Sequence, residues 1–352
     1  MENVEMKSVA NVAELLSDVN AQRPYIAEDG LSYITQNSID AEGNKVETAV
    51  LASNAATLRK DEWEQIDATV VEVAQKGTPF VDYCLRHGLT YNLADALGTM
   101  ELGYEVVSDM QGAYISMDGA VKGNDDTIQY DIRYMPIPII QKEWTLNLRR
   151  LLASRKKGEA LDTVQLRLGA KKVKQFIENL FVKGEYTNNG HTLQGLTKFA
   201  HRNVGGATKG VWTKAEKTGA EIFANVQEMI RTAKDKGFKN GYVFDLFINA
   251  GYEDRLDQDY AAGYPKSIRE RLKEIGQLGE IVVLDELGAN EVVLLPRSKE
   301  VIEAVLGMPM TVTEDSTSKG YIRTYNIQEI TLPRFKADYN GACGIVHWTI
   351  TD

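Results

Sequence analysis

The chain has 352 residues, enough for two compact units, and its 43% apolar and 26% charged composition excludes wholesale disorder. Fifty acidic against forty basic side chains give a formal charge of −10, which argues against a generic nucleic-acid coat held by lysine and arginine contacts to phosphate. Cys84 and Cys343 lie too far apart to frame a disulfide scaffold and fit a reduced compartment. The opening MENVEMKSVANVAELL lacks the basic-then-apolar order of a signal peptide, and the longest apolar stretch, Tyr242 to Asn249, is too short for a bilayer. A soluble protein retained in the cell that makes it is therefore expected. The charge is unevenly placed: Lys142 to Lys183 carries a net +7 (eleven basic against four acidic), the remainder −17 (29 basic against 46 acidic).

Residues 1–57 read as an arm. A short amphipathic stretch (Val9, Val12, Leu15, Leu16) precedes the polar run QNSIDAEGNKVET, which has little to bury. Such a run is expected to stay mobile, as a tail or as an arm that orders against a neighbouring subunit. From Leu58 a helix is predicted, with Trp63, Ile66, Val70, Val73 and Ala74 at helical spacing and Asp61, Glu62 and Glu64 near its positive end. Tyr104 to Gln141 reads as a long β-hairpin turning at GAVKGNDD. In its second half Ile128, Tyr130, Ile132 and Tyr134 share one face and Gln129, Asp131 and Arg133 the other. An isolated hairpin is marginal in water, so it must pack on its own domain or be supported by another subunit.

The strongest predicted helix is Thr163 to Lys183, with Asp162 and Gln165 as a capping box and Gly184 as its stop. Its apolar stripe is Val164, Leu168, Val173, Ile177, Leu180 and Phe181. Arg167, Lys171, Lys172 and Lys174 fall on its flanks and polar side, either as a solvated face or as an inner surface near DNA or an acidic neighbour. A Gly, Asn and Thr-rich connection spans residues 187–213. Helix and strand patterns then alternate (Ile222 to Ala233, Tyr242 to Asn249, Tyr252 to Asp259, RERLKEI, IVVLD, EVVLLP), indicating a compact α/β unit, and strand-like runs dominate from Tyr321 to the end.

Motifs for chemistry are absent. There is no phosphate-binding loop, and Gly205, Gly206 and Gly210 precede Trp212 rather than a strand–helix junction. His87, His191, His201 and His347 have no partner at metal-ligand spacing, and His347 alternates with apolar residues as a structural histidine would. Cys84 reads as a small, partly buried residue, Asp125 and Asp126 as solvated turn residues, and no GxSxG elbow occurs. No enzyme class, cofactor or metal is indicated.

The segments LRKDEWEQID (from Leu58), GLTYNL (from Gly88), SDMQGAYISMDG (from Ser108), PIPIIQKEWTLNLRRLLASRKKGEALDTVQ (from Pro136), IENLFVKGE followed by LQGL, YVFDLFIN and RFKADYNGACGIVHW (from Arg334) occur in a recognisable order. In that order and spacing the chain resembles the major capsid proteins of tailed bacteriophages with the Hong Kong ninety-seven type fold, in the branch close to encapsulins and linocin-type shell proteins. The resemblance covers Leu58 to Asp352, about 85% of the chain.

It implies an α+β phage capsid fold with an N-terminal arm (1–57), a first core helix and connection (58–103) and an extended β-hairpin loop (104–141). These would be followed by a peripheral domain with a long spine helix (142–212), an axial α/β domain (213–310), and C-terminal strands returning to the peripheral domain (311–352). The loop, with Met117, Ile128, Tyr130, Ile132 and Tyr134, would lie across an adjacent subunit, and Arg167, Lys171, Lys172 and Lys174 would face the lumen. The implied function is self-assembly of hexamers and pentamers into an icosahedral shell around double-stranded DNA, built in the host bacterial cytoplasm without a membrane. Its partners would be portal, scaffold and possible decoration proteins. Encapsulin compartments that enclose a cargo enzyme share this fold; the arm before Leu58 favours the phage reading. A soluble α/β enzyme centred on residues 213–310 is the rival from another class. Some relatives cross-link through a loop lysine; Lys122 sits in the predicted turn, where a lysine is expected anyway.

Overall fold

Periodic burial organises the computed structural model, which describes residues 23–39, 45–51, 58–75, 78–110, 115, 117, 127–157, 163–206, 209–214, 216–239, 241–261, 263, 265–315 and 321–351. The chain forms two compact units, one from residues 1–77, 138–177 and 306–331, the other from residues 78–137, 178–305 and 332–352.

In the first unit, helix α1 (Lys60–Gln75) buries Trp63, Ile66, Val70 and Val73, the stripe its sequence predicts. Glu62 accepts the Arg59 backbone N–H at 2.9 Å and pairs with Arg155. Trp63 meets the edge of Tyr325 at 5.8 Å, and Tyr325 stacks on Trp144 at 4.9 Å. These rings sit where strand β7 (Ile140–Asn147) pairs antiparallel with strand β15 (Ile322–Phe335), from Ile140↔Glu329 to Asn147↔Ile322. Ile140 and Gln141 therefore open a core strand and do not belong to the hairpin, because Ile140 is buried and its backbone pairs with β15.

The long helix α4 (Val164–Val182) belongs to this unit as far as Ile177. Its buried residues are Leu166, Ala170, Val173, Ile177, Leu180 and Phe181. The predicted core positions Val164 and Leu168 are 62% and 59% exposed. Each residue turns the helix about 100°, so two residues of offset carry them to the side opposite Leu166 and Ala170. A Cβ on Gly169 would lie 2.7 Å from Ile327 Cδ1, so the helix meets β15 at a position only glycine fits without adjustment. Asp162, the predicted N-cap, lies outside the described residues.

The polar run of the arm is not structureless. Strands β1 (Tyr25–Ile26), β2 (Ser32–Ile39) and β3 (Lys45–Leu51) form an antiparallel three-stranded sheet, with Tyr33↔Leu51 to Ile39↔Lys45 in register. Backbone pairing needs no buried side chain, and the Thr, Val and Ile content suits a pleated strand. Arg23 ties this sheet to α1 by pairing with Asp67 at 2.8 Å and lying over the Trp63 ring at 4.8 Å.

In the second unit a five-stranded sheet has the order β10-β16-β13-β11-β12: β10 (Asn203–Gly205), β16 (Val346–Thr349), β13 (Glu291–Pro296), β11 (Phe244–Ile248) and β12 (Leu278–Val283). Strand β11 is buried throughout, which explains why its sequence is a continuous apolar run rather than an alternating one. Helix α5 (Gly219–Asp235) opens on a capping box of Thr218 and Glu221 and joins this core through Ile222, Val226, Met229 and Ala233. Strand β16 thus belongs to the α/β sheet, pairing antiparallel with β13 and parallel with β10. Its residues Val346 and Trp348 fill the same core as α5, which is the driving force for that placement. Strand β14 (Ile302–Glu314), which runs across the domain boundary expected at residue 310, lies in a four-stranded sheet of order β4-β14-β15-β7, where β4 is Thr90–Asn92.

Candidate assembly surface

Strand β5 (Glu101–Val107) pairs with strand β6 (Tyr130–Pro136), from Glu101↔Pro136 to Val107↔Tyr130, so the hairpin begins three residues earlier than its sequence suggests. Its tip around Lys122, Asp125 and Asp126 lies outside the described residues. On the inner face Leu102, Val106 and Met135 are buried against the chain itself. Arg133, on that face, donates to the carbonyls of Ala337 (3.5 Å) and Asp338 (3.3 Å), and Tyr339 Oη donates to Gln129 at 2.6 Å.

Alternation then sends the apolar residues of β6 outward. Tyr130, Ile132 and Tyr134 are 63%, 54% and 44% exposed, with Ile128 half-buried and Met117 fully exposed beyond them. Gly103 lies across from Tyr134, whose ring would stand 3.0 Å from a Cβ there, so the aromatic covers the glycine. Arg133 is thus held by the chain itself, Tyr130 and Ile132 face solvent, and Tyr134 rests partly against His191 at 5.3 Å.

A rigid interior supports the base of the hairpin's unit. Helix α2 (Pro79–Arg86) places Phe80 among Phe181, Phe247 and Phe335, with ring centroids 5.7, 5.2 and 6.4 Å away. Asp245, fully buried in β11, accepts from Tyr83 Oη (2.5 Å), the Glu280 N–H (2.6 Å) and Arg297 Nε (2.8 Å). Burial beside this carboxylate raises the Tyr83 phenol well above its ordinary range. The only trace of this network in the sequence is an aspartate interrupting an apolar run. Glu303 pairs with Arg334 and, at 3.0 Å, with Lys336, while the Arg334 guanidinium stacks 4.3 Å over Tyr91. Glu178 accepts the Phe80 N–H at 2.9 Å, and burial pushes its carboxyl up to about 7.

The four cations singled out on the long helix do not form one face. Arg167 pairs with Glu72 at 3.1 Å on the surface, Lys171 is exposed, and Lys172 donates to Gln175 at 3.0 Å. Lys174 is turned inward instead, 2.9 Å from the buried Glu329, so it cannot face a lumen. Its position, one residue from Val173, sets it at the margin of the buried stripe.

Neither cysteine offers a nucleophile: both are buried, with the Cys84 thiol raised far above its ordinary value and that of Cys343 pushed up to about 11 by burial. His347 Nδ1 accepts from Arg202 Nε at 3.2 Å, and burial lowers its pKa. Gly205 and Gly206 pack on the Trp348 ring. Among the described residues no group of three or more His, Cys, Asp or Glu side chains could hold a metal, and no helix is long and apolar enough to cross a membrane.

Solved structures share this fold. The virus-like particle from Pyrococcus furiosus superposes with a TM-score of 0.58 at 16% identity, covering 81% of this chain and 98% of that one. The capsid of Myoviridae phage XM1 gives 0.57 at 13% identity, covering 76% and 91%. A chain of Mycobacterium phage Bobi gives 0.52 at 11% identity, covering 81% and 90%. The fold is therefore the α+β fold of phage capsids and the related virus-like particle. No curated protein matches the sequence. The family model described as "Family of unknown function (DUF6260)" matches residues 52–348, and the chain belongs to that family.

Proposed function

We propose that this family member is the major capsid protein of a tailed phage, a subunit without a catalytic role that assembles into an icosahedral shell enclosing double-stranded DNA. The observation that carries the reading is the hairpin: Arg133 is bound by the chain itself, while Tyr130, Ile132 and Tyr134 are presented outward. A monomeric enzyme has no use for such a surface, whereas a subunit laid against a copy of itself buries it. The capsid fold supports the same conclusion. In this reading hexamers and pentamers form in the host cytoplasm, and the side of α4 that carries Arg167, Lys171 and Lys172 is the one turned toward the enclosed volume.

The decisive experiment is electron microscopy of the purified protein after size-exclusion chromatography, with the nucleic-acid absorbance ratio recorded and co-purifying proteins identified. Closed shells, sheets or tubes support the coat reading. A co-packaged enzyme would move it to an encapsulin-type compartment, the second reading that the likeness to the Pyrococcus particle keeps in view. A small monodisperse species that resists assembly at every salt and concentration, even with a scaffold protein added, would overturn both.

A further inference from the structure

The side of α4 opposite its core carries a second apolar stripe. Leu168 and Phe176 are 59% and 57% exposed; eight residues carry the second about 12 Å along the helix and about 80° further round, on one i, i+4, i+8 ridge with Lys172 between them. Lys171, Lys172 and Gln175, all exposed, lie around and between them, and Arg167 flanks them. This is an apolar strip in a positively charged frame, on a helix already fully packed along its other side through Leu166, Ala170, Val173 and Ile177.

We propose that the strip is the docking site for Val9–Leu16 of the same chain. Three observations select this occupant. First, its apolar positions Val9, Val12, Leu15 and Leu16 recur at helical spacing. As a helix they extend about 10 Å, close to the separation of Leu168 and Phe176. Second, the charges are complementary: residues 1–20 carry Glu2, Glu5, Glu14 and Asp18 against Lys7 alone, a net −3, facing Arg167, Lys171 and Lys172. Third, the segment is tethered within reach. Arg23 is pinned to α1 at Trp63 and Asp67, and Arg167 is pinned to the same helix at Glu72, five residues further on and about 7–8 Å along its axis. The six residues between Leu16 and Arg23 span up to about 20 Å when extended, enough to connect the two places.

The inference stands on this chain's own residues and not on the shell reading, since an unassembled subunit would show it equally. It is tested by carbodiimide cross-linking of the full-length protein, mixed from unlabelled and nitrogen-15-labelled copies, with cross-links mapped by mass spectrometry. The expected product is an amide between Glu14 or Asp18 and Lys171 or Lys172, with both halves carrying the same label. Mixed-label products would mean that a neighbour supplies the segment, and no such product would mean that something else covers the strip; either overturns the proposal. Independently, hydrogen exchange should show amides 9–16 protected in the wild type, with protection reduced at least tenfold in Leu168→Gln/Phe176→Gln while α4 exchanges unchanged. Unprotected amides in the wild type, or equal protection in the variant, would refute it.

Discussion

Replacing Tyr130, Ile132 and Tyr134 together by Ser should abolish assembly while leaving a folded subunit. Fully burying a large apolar side chain is worth about 1.5–3 kcal/mol. These three are 63%, 54% and 44% exposed in the subunit, so only that fraction remains to be gained from a neighbour. About 1–1.5 kcal/mol per residue, or roughly 4 kcal/mol per loop, is then lost, close to a thousandfold in each contact's equilibrium constant. Subunit stability should fall less, by about 1–2 kcal/mol, because Tyr130 and Ile132 are mostly exposed and only Tyr134 packs on its own chain, over Gly103 and against His191 at 5.3 Å. Size-exclusion chromatography and electron microscopy read the assembly, and circular dichroism melting reads the fold. Normal shells from the triple variant would refute the assignment of this face. A subunit destabilised by several kcal/mol would show that the residues are packed within their own chain.

Three further outcomes follow from the interior. Asp245→Ala removes the acceptor shared by Tyr83, Arg297 and the Glu280 N–H, and should cost about 3 kcal/mol in urea unfolding; a loss under about 1 kcal/mol would mean that the network is dispensable. Lys174→Met strands the buried Glu329 and should cost about 3 kcal/mol, whereas Lys171→Met on the exposed side should cost under about 0.5 kcal/mol; equal costs would contradict the inward assignment of Lys174. Burial raises Glu178 from the ordinary carboxylate range to about 7, so between the two the folded state holds a proton the unfolded chain has lost. Stability should therefore fall as pH rises through that window, by up to about 3 kcal/mol. Glu178→Gln should remove this slope and be more stable than the wild type at pH 8; an unchanged slope would clear Glu178 of the effect.

Elements whose burial is periodic within a local stretch were legible in the sequence. The α1 stripe from Trp63 to Val73, the buried run of β11, and the turn of polarity along β6 all follow from side-chain spacing, because one turn or one pleat contains the whole pattern. The capsid likeness was legible in the order of its segments. Tertiary structure decided what depends on a second surface. Leu168 and Phe181 look alike in sequence, yet one is exposed and the other buried, since the helix offers two apolar sides and β15 covers only one part of its surface. Lys174 and Lys171 are equivalent lysines until Glu329 arrives from β15, 155 residues away. The sheet membership of β16 rests on pairing with β13 and β10, and the outward turn of Tyr130, Ile132 and Tyr134 rests on Arg133 finding carbonyls at Ala337 and Asp338. Local spacing determines which residues share a face; only long-range pairing determines which face is inside.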